Sequence, residues 1–460
     1  MRKAVFRPHN AGPLIALVSL LVPSLAAAQE SPAPAEAPPL QLASAAQDSA
    51  SALAQEDPVH ESGLDMLALY PNLLDTTLSV EGDLAESDAP HSSFLRGETL
   101  LGPWFAWKQR LAQNTGLSIG GSWGLLHQNY SVSRIGERDA VGSKFTFNLS
   151  YDLANRGQAN ALTFDLAVED RRPFGTDLAP LQAGIGAGSG VPTAATWGDF
   201  ELGVTQAYVR QNLANNRYQY AVGKVFAPNF VNPYPFFDDN RQFLSLAFST
   251  SPTIAVPLRG FGLVGAAYPT DGNLYLKSGV FTAHSSDTGS TIDDFFNKDE
   301  RFYFFEAGWS GFAGMGVPIH GRGPMDRNNF HITSWYRDAM SDGSPRAYGF
   351  AFNANFMAGE NTMWFVRGGW SDGWLADQAL SVGVGWRPGR ESSDLLGLGV
   401  GWVHPSNNNL DSQYTGELFY RFHVTQNLAF TPNLQLVVNP TLNPNKDAMA
   451  VLSFRGRVTF

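Results

Sequence analysis

Hydrophobic and polar residues alternate through much of the chain from residue 117 onward. In the run KFTFNLSYDL, Phe145, Phe147, Leu149, Tyr151 and Leu153 fall on one face, and Lys144, Thr146, Asn148, Ser150 and Asp152 on the other. ALTFDLAVED sets Leu162, Phe164, Leu166 and Val168 against Thr163, Asp165, Ala167 and Glu169. RAYGFAFNANFMA, ALSVGVGWRP and LAFTPNLQLVVNP repeat the pattern. The closing run AMAVLSFRGRVTF places Ala450, Leu452, Phe454, Gly456, Val458 and Phe460 opposite Val451, Ser453, Arg455, Arg457 and Thr459. A period of two marks β-strands whose two faces meet different surroundings.

About sixteen such runs, each of roughly ten residues, lie between Gly116 and Phe460, and an even number of strands of that length suits a closed transmembrane barrel. Tight links such as PGRESSD alternate with long polar ones such as RRPFGTDLAPLQAGIGAGSGVPTAATWGDF. Short periplasmic turns and longer outer loops produce that rhythm. Alternation also fits soluble sandwiches and propellers. Trp309, Trp335, Tyr336, Trp370, Trp386 and Trp402 stand near strand ends, where interfacial girdles place aromatics, and the opposite faces carry Gly, Asn, Ser and charges suited to a wet lumen. The expected fold class is all-β: a transmembrane antiparallel β-barrel of about 16 strands with a disordered N-terminal segment.

Three regions follow from the rest of the pattern. Arg2, Lys3 and Arg7 precede the apolar run at 14–28, which ends in Ala26, Ala27 and Ala28. Residues 1–28 therefore read as a secretory signal peptide, too short for the roughly 20 residues of a spanning helix. Residues 29–95 are rich in Ala, Pro and Ser, with 12 acids and no Lys or Arg. Such a segment is expected to stay disordered, because its chain entropy outweighs the apolar surface it can bury. Residues 96–460 form the expected outer-membrane barrel domain. They hold 28 basic residues (31 minus the leader's 3) and 30 acids (42 minus the segment's 12). The protein's net charge of −11 thus belongs to the segment, and nothing resembles a nucleic-acid patch.

Chemistry is sparse. With no cysteine, disulfides, thiolate metal sites and a cysteine nucleophile are excluded. The nine histidines lack metal spacing, and no cofactor is expected. GLSIG at 116–120 fits the Gly-x-Ser-x-Gly pattern but lies within a strand rather than at a strand–helix elbow. GIGAGSG at 184–190 lacks the Lys and the strand–turn–helix setting of a phosphate cradle. The chain is not expected to be an enzyme. A general outer-membrane channel, a barrel hydrolase and a secreted glycan-binding β-protein remain open as alternatives.

LLGPWFAWKQRLAQNTGLSIGGSW at 100–123 resembles the opening segment of the carbohydrate-selective porin (OprB-like) family, through Leu100, Leu101, Gly102, Trp104, Arg110, Leu111, Gly116 and Gly120. Pro103, Phe105 and Ala106 depart from the family's usual Asp-Gly-Gly turn. VGKVFAPNF at 222–230, DDNRQFLSLAFS at 238–249 and GELFYRFHVTQNLAFTPNLQLVVNP at 416–440 also match. The resemblance implies a sixteen-stranded outer-membrane channel passing small neutral sugars such as glucose into the periplasm. Its implied surroundings are the lipid bilayer with lipopolysaccharide and the outer-membrane insertion machinery, as a monomer or trimer.

A pore favouring a neutral sugar needs narrow walls, paired donors and acceptors, and aromatic surfaces. The candidate path is formed by Asp165, Glu169, Arg171 and Arg172, by Lys224, by Asp238, Asp239 and Arg241 on a loop able to fold inward, and by Glu417, Arg421, His423, Gln435, Arg455 and Arg457. Arg421 and Arg455 are expected to meet across the face near Gln435. Phe460 resembles the C-terminal aromatic by which the insertion machinery recognises such barrels.

Overall fold

A computed structural model describes residues 70, 72–89, 91–95, 101–158, 160–271, 273–311, 328–389 and 392–460. Among these, sixteen antiparallel strands close into one barrel. The first eight are β1 (Leu117–Tyr130), β2 (Asp139–Ala154), β3 (Leu162–Pro173), β4 (Phe200–Leu213), β5 (Tyr218–Phe226), β6 (Arg259–Ala267), β7 (Leu274–Thr282) and β8 (Arg301–Gly311). The second eight are β9 (Asn328–Arg337), β10 (Ala347–Ala358), β11 (Thr362–Asp372), β12 (Ala376–Trp386), β13 (Leu395–Pro405), β14 (Gln413–Thr425), β15 (Leu428–Val438) and β16 (Ala448–Thr459). The strand order runs around the ring without a crossover and returns from β16 to β1. Closure leaves no bare strand edge in hydrocarbon, where an unpaired N–H or C=O costs several kcal/mol.

The alternation sorts as the sequence predicts. Leu452, Phe454, Leu434, Leu436, Leu418 and Val400 are exposed on the outer face. Lys144, Asn148, Asp165, Glu169, Glu417 and Arg455 are buried on the inner one. Outward aromatics pair along one rim: Tyr303 lies opposite Tyr336, Tyr336 opposite Tyr348, and Trp402 opposite Tyr414. Trp335 departs from expectation. It is one residue from the outward Tyr336, so the pleat turns it inward, where it is buried and stacks on Phe302 at 5.9 Å.

The links at 214–217, 359–361 and 426–427 lie at one end of the barrel, and the long ones at 174–199, 227–258 and 283–300 at the other. By the habit of such barrels the first end is periplasmic. Helix α2 (Gly102–Thr115) leads into β1 at that end, with Pro103 in its first turn, where a missing N–H costs nothing. Gly116 closes the helix in the left-handed region, at φ 76°, donating to the Ala112 carbonyl at 2.8 Å.

The interior is more than the wet channel expected. The link at 227–258 folds into the barrel, and its Phe236, Phe237, Phe243 and Phe248 pack with Phe365 and Phe419 of the wall. Phe230 packs in a second cluster with Tyr208, Phe281 and Phe302. Glycines admit this loop: a Cβ on Gly399 would stand 2.8 Å from the Phe248 ring.

Residues 72–89 correct the expectation of disorder. Ser79 caps helix α1 (Val80–Asp88), its side chain accepting from the Gly82 N–H, and Leu74, Val80 and Leu84 are buried against the barrel interior. The acids that argued for disorder instead meet cations. Asp88 pairs with Lys108 at 2.6 Å, Glu81 with Arg210 at 2.6 Å, and Asp83 with Arg241 and with Arg457. Counting charge along the segment treated them as unpartnered, whereas the partners lie as much as 374 positions away. The expectations for 1–69 lie outside the described residues.

Candidate functional site

Strands β1–β6, helix α1 and the inward links line a polar recess, partly open to solvent, with a cavity volume of about 40 Å³. Its charged lining is Asp83, Lys144, Glu169, Arg171 and Arg259, with Asn148 beside them. Lys144 and Glu169 face inward because each occupies the polar register of its strand, and the pairing sets Lys144 opposite Arg171.

Within the recess Glu169 accepts from Arg171 Nε at 3.0 Å and lies 3.7 Å from Arg259. Arg171 donates to the Thr196 carbonyl at 2.5 Å, and Lys144 to the Thr196 hydroxyl at 2.8 Å. The Arg171 and Arg259 guanidiniums lie over the Phe200 ring, at 4.7 and 5.0 Å from its centroid, and Arg259 also lies 5.2 Å from that of Phe226. Planar donors held between carboxylates and aromatic faces are suited to a solute with hydroxyls and an apolar ring face. A smaller adjoining space is lined by Lys144, Trp197, Asn240, Arg455 and Arg457.

The sequence candidates separate into groups. Glu169 and Arg171 line the recess, and Arg455 and Arg457 the adjoining space. Asp238, Asp239 and Arg241 stand on the link that folds inward, all buried. Arg241 donates to Asp238 at 2.8 Å and to the Thr77 carbonyl at 3.0 Å, and Asp239 accepts from the Thr196 N–H and hydroxyl. Burial pushes the Asp238 carboxyl up to about 6.

Other candidates hold the structure together. Glu417 accepts from the Leu244 and Ser245 N–H groups at 2.6 and 2.9 Å, and Gln435 donates to the Thr193 carbonyl at 2.8 Å. Arg455 donates to the carbonyls of Asp239 and Gln242 at 2.7 and 3.2 Å. Arg421 and Arg455 therefore do not meet near Gln435: Arg421 turns to the Ser393 carbonyl at 3.0 Å and to Glu86 at 3.8 Å. His423 stacks on His91 at 4.4 Å. Asp165 is fully buried and accepts from Arg210 at 2.6 Å, and Lys224 donates to the Val204 and Asp287 carbonyls.

Arg172 is a correction. It follows Arg171 on the strand, so the pleat puts it on the other face, where it is exposed and pairs with Asp170 at 2.7 Å. The alternation contained that answer. Lys144 was legible on the polar face of its strand, whereas Asp83, Arg259 and Phe200 stand in no strand run of charged residues and were missed. Phe460 continues the seam, its N–H and C=O each pairing with Gly121 at 3.0 Å.

Residues 361–460 match the model of the carbohydrate-selective porin, OprB family. That stretch contains the YRF and TPNLQ motifs and the closing strands. The segments at 100–123, 222–230 and 238–249 lie outside it. The high-pH structure of Pseudomonas putida OprB superposes with a TM-score of 0.61 at 15% identity, covering 81% of this chain and 99% of that one. The low-pH structure of the same protein gives 0.47 at 14%, covering 81% and 100%. A mutant porin of Rh. blastica gives 0.43 at 11%, covering 75% and 100%. The first of these likenesses is one of fold. No curated protein matches the sequence. With its outward apolar band and closed sheet, the chain is an outer-membrane β-barrel of the porin type.

Proposed function

We propose that the chain is a passive diffusion channel for small neutral sugars, monosaccharides such as glucose, entering the periplasm. The observation that carries this reading is the recess itself. Arg171 and Arg259 present planar donors beside Glu169 and over the Phe200 ring, replacing the hydrogen bonds a sugar loses with its water at about 1 kcal/mol each. The OprB-family match over residues 361–460 supports the same solute class.

The path runs through the recess and the adjoining space, with Glu169, Arg171, Arg455 and Arg457 of the sequence candidates joined by Lys144 and Arg259. The remaining inward candidates shape the path by holding the links in place. Residues 1–28 are assigned as the leader and 96–460 as the barrel domain. Insertion is assigned to the outer-membrane machinery acting on β16 and Phe460, into a bilayer containing lipopolysaccharide, as a monomer or trimer. No catalytic step is assigned.

Liposome swelling with a series of sugars, and with an uncharged non-sugar of equal size, tests the reading. Faster entry of glucose than of the matched non-sugar is expected. Equal rates would make the protein a general channel, and no swelling would end the channel reading.

A further inference from the structure

Residues 72–89 carry five acids, Asp75, Glu81, Asp83, Glu86 and Asp88, and no basic residue. The barrel wall supplies cations facing them. Arg210 and Arg241 each have a wall or loop acid as well, Asp165 and Asp238 respectively. Arg421 and Arg457 differ: among the described residues, their only ion pairs are with Glu86 and Asp83. Asp83 also accepts from Asn148 Nδ2 at 2.5 Å and lines the recess.

The segment is seated by more than charge. Leu74, Val80 and Leu84 are buried in the interior cluster. The Leu73 N–H donates to Gln219 Oε1 at 2.6 Å, and Asn229 donates to the Leu78 carbonyl at 2.9 Å. A stretch anchored to β5, the 227–258 link and β16 at once crosses the barrel interior as a fixed part of its wall.

We infer that α1 is the pore's resident charge filter, whose carboxylates neutralise Arg421 and Arg457 and so make the channel discriminate against anionic relatives of its neutral sugar. The inference rests on the channel reading above. A lumen lined by uncompensated guanidiniums concentrates anions by an order of magnitude or more, because low-dielectric walls focus the field. With α1 in place Arg457, which lines the adjoining space, remains a hydrogen-bond donor while its charge and that of Arg421 are cancelled. The segment thereby separates two properties that arginine otherwise brings together, hydroxyl recognition and anion attraction.

The test compares liposome uptake of glucose with that of gluconate, a similar-sized hexose derivative bearing one negative charge. The proteins are the full chain, the variant Glu81→Gln/Asp83→Asn/Glu86→Gln, and that variant with Arg421→Gln/Arg457→Gln added. Heat-modifiable migration in detergent gels reports folding of each. The triple variant is expected to raise the gluconate-to-glucose uptake ratio by about tenfold, and the added arginine changes to return it toward that of the full chain. An unchanged ratio in a folded triple variant overturns the filter while leaving the channel reading standing if glucose still enters. Should the triple variant not fold, Glu86→Gln alone, at a half-buried pair, must raise the ratio, and its failure to do so is equally decisive. If the full chain admits neither solute, the channel reading and the filter fall together.

Discussion

Asp83 and Arg457 lie 374 positions apart in the chain and 3.1 Å apart inside the barrel. One belongs to the acidic N-terminal segment and the other to the last strand, so the contact ties the two ends of the described chain together across the lumen. Arg241 of the inward link joins the same carboxylate. The cluster therefore couples three parts of the molecule that the strand pattern treats as separate.

Because the pair is largely shielded from water, its loss is unequal to its removal. Asp83→Asn leaves Arg457 without an acidic partner among the described residues, whereas Asp83→Asn with Arg457→Gln leaves no stranded charge. Unfolding in denaturant is expected to show a coupling of about 1 kcal/mol between the two positions. Simple additivity would mean that solvent already screens the contact.

Arg455 and Arg172 provide a paired test of where the pleat puts each arginine. Arg455 is fully buried, and its guanidinium satisfies the carbonyls of Asp239 and Gln242. Arg455→Ala should cost about 3 kcal/mol through a cavity and unsatisfied carbonyls, expose the 227–258 link to protease, and raise ion conductance. Arg172→Ala, at an exposed pair, should change stability by no more than about 0.5 kcal/mol. Equal effects would contradict the assigned faces.

Strand number, closure and the face of nearly every wall residue were legible, because lipid and lumen impose a period of two that no other arrangement relaxes. What occupies the lumen was not. Phe243 and Phe248 sit in a stretch without alternation, and only the space left by Gly399 and the rings of Phe365 and Phe419 makes them core. Likewise the acids at 81–88 read as a solvated run until Arg210, Arg421 and Arg457 are brought opposite them. Pairing over hundreds of residues leaves no local signal. A weaker one was present in Ser79, a residue able to cap a helix, followed by Val80 and Leu84 four positions apart on one helical face.

Docking of the N-terminal segment should weaken in acid. His91 donates to the Glu86 carbonyl at 3.0 Å, stacks on His423 and faces Arg421 and Arg457. Burial holds its imidazole below the ordinary value. The undocked segment therefore takes up a proton near pH 6.5, which the docked one resists. The His91 contribution is fully present above that pH and is lost as pH falls from there toward the depressed docked value. Limited proteolysis between residues 72 and 95 should be faster at pH 5 than at pH 7.5, with a smaller difference in His91→Gln. An equal difference in the variant would assign the acid effect to the carboxylates alone.

The seam between β1 and β16 contains nine residue pairs, from Ser122 opposite Thr459 to Tyr130 opposite Val451. Phe460 adds one further pair through Gly121, and its ring lies 6.1 Å from that of Phe145 on the outer face. A Cβ on Gly121 would come within 2.8 Å of the Phe460 ring and 2.4 Å of the Thr146 carbonyl, so glycine is required for the ring to lie where it does. Deleting Phe460 removes the last ladder pair and a boundary aromatic but leaves the lumen lining unchanged. The folded, heat-modifiable fraction in membranes is expected to fall severalfold, while the barrels that do insert keep the single-channel conductance of the full chain. Gly121→Ala should lower the folded fraction in the same direction by displacing the ring. A changed conductance in either variant would mean that the seam shapes the pore, and an unchanged folded fraction would mean that the nine remaining pairs close the barrel unaided.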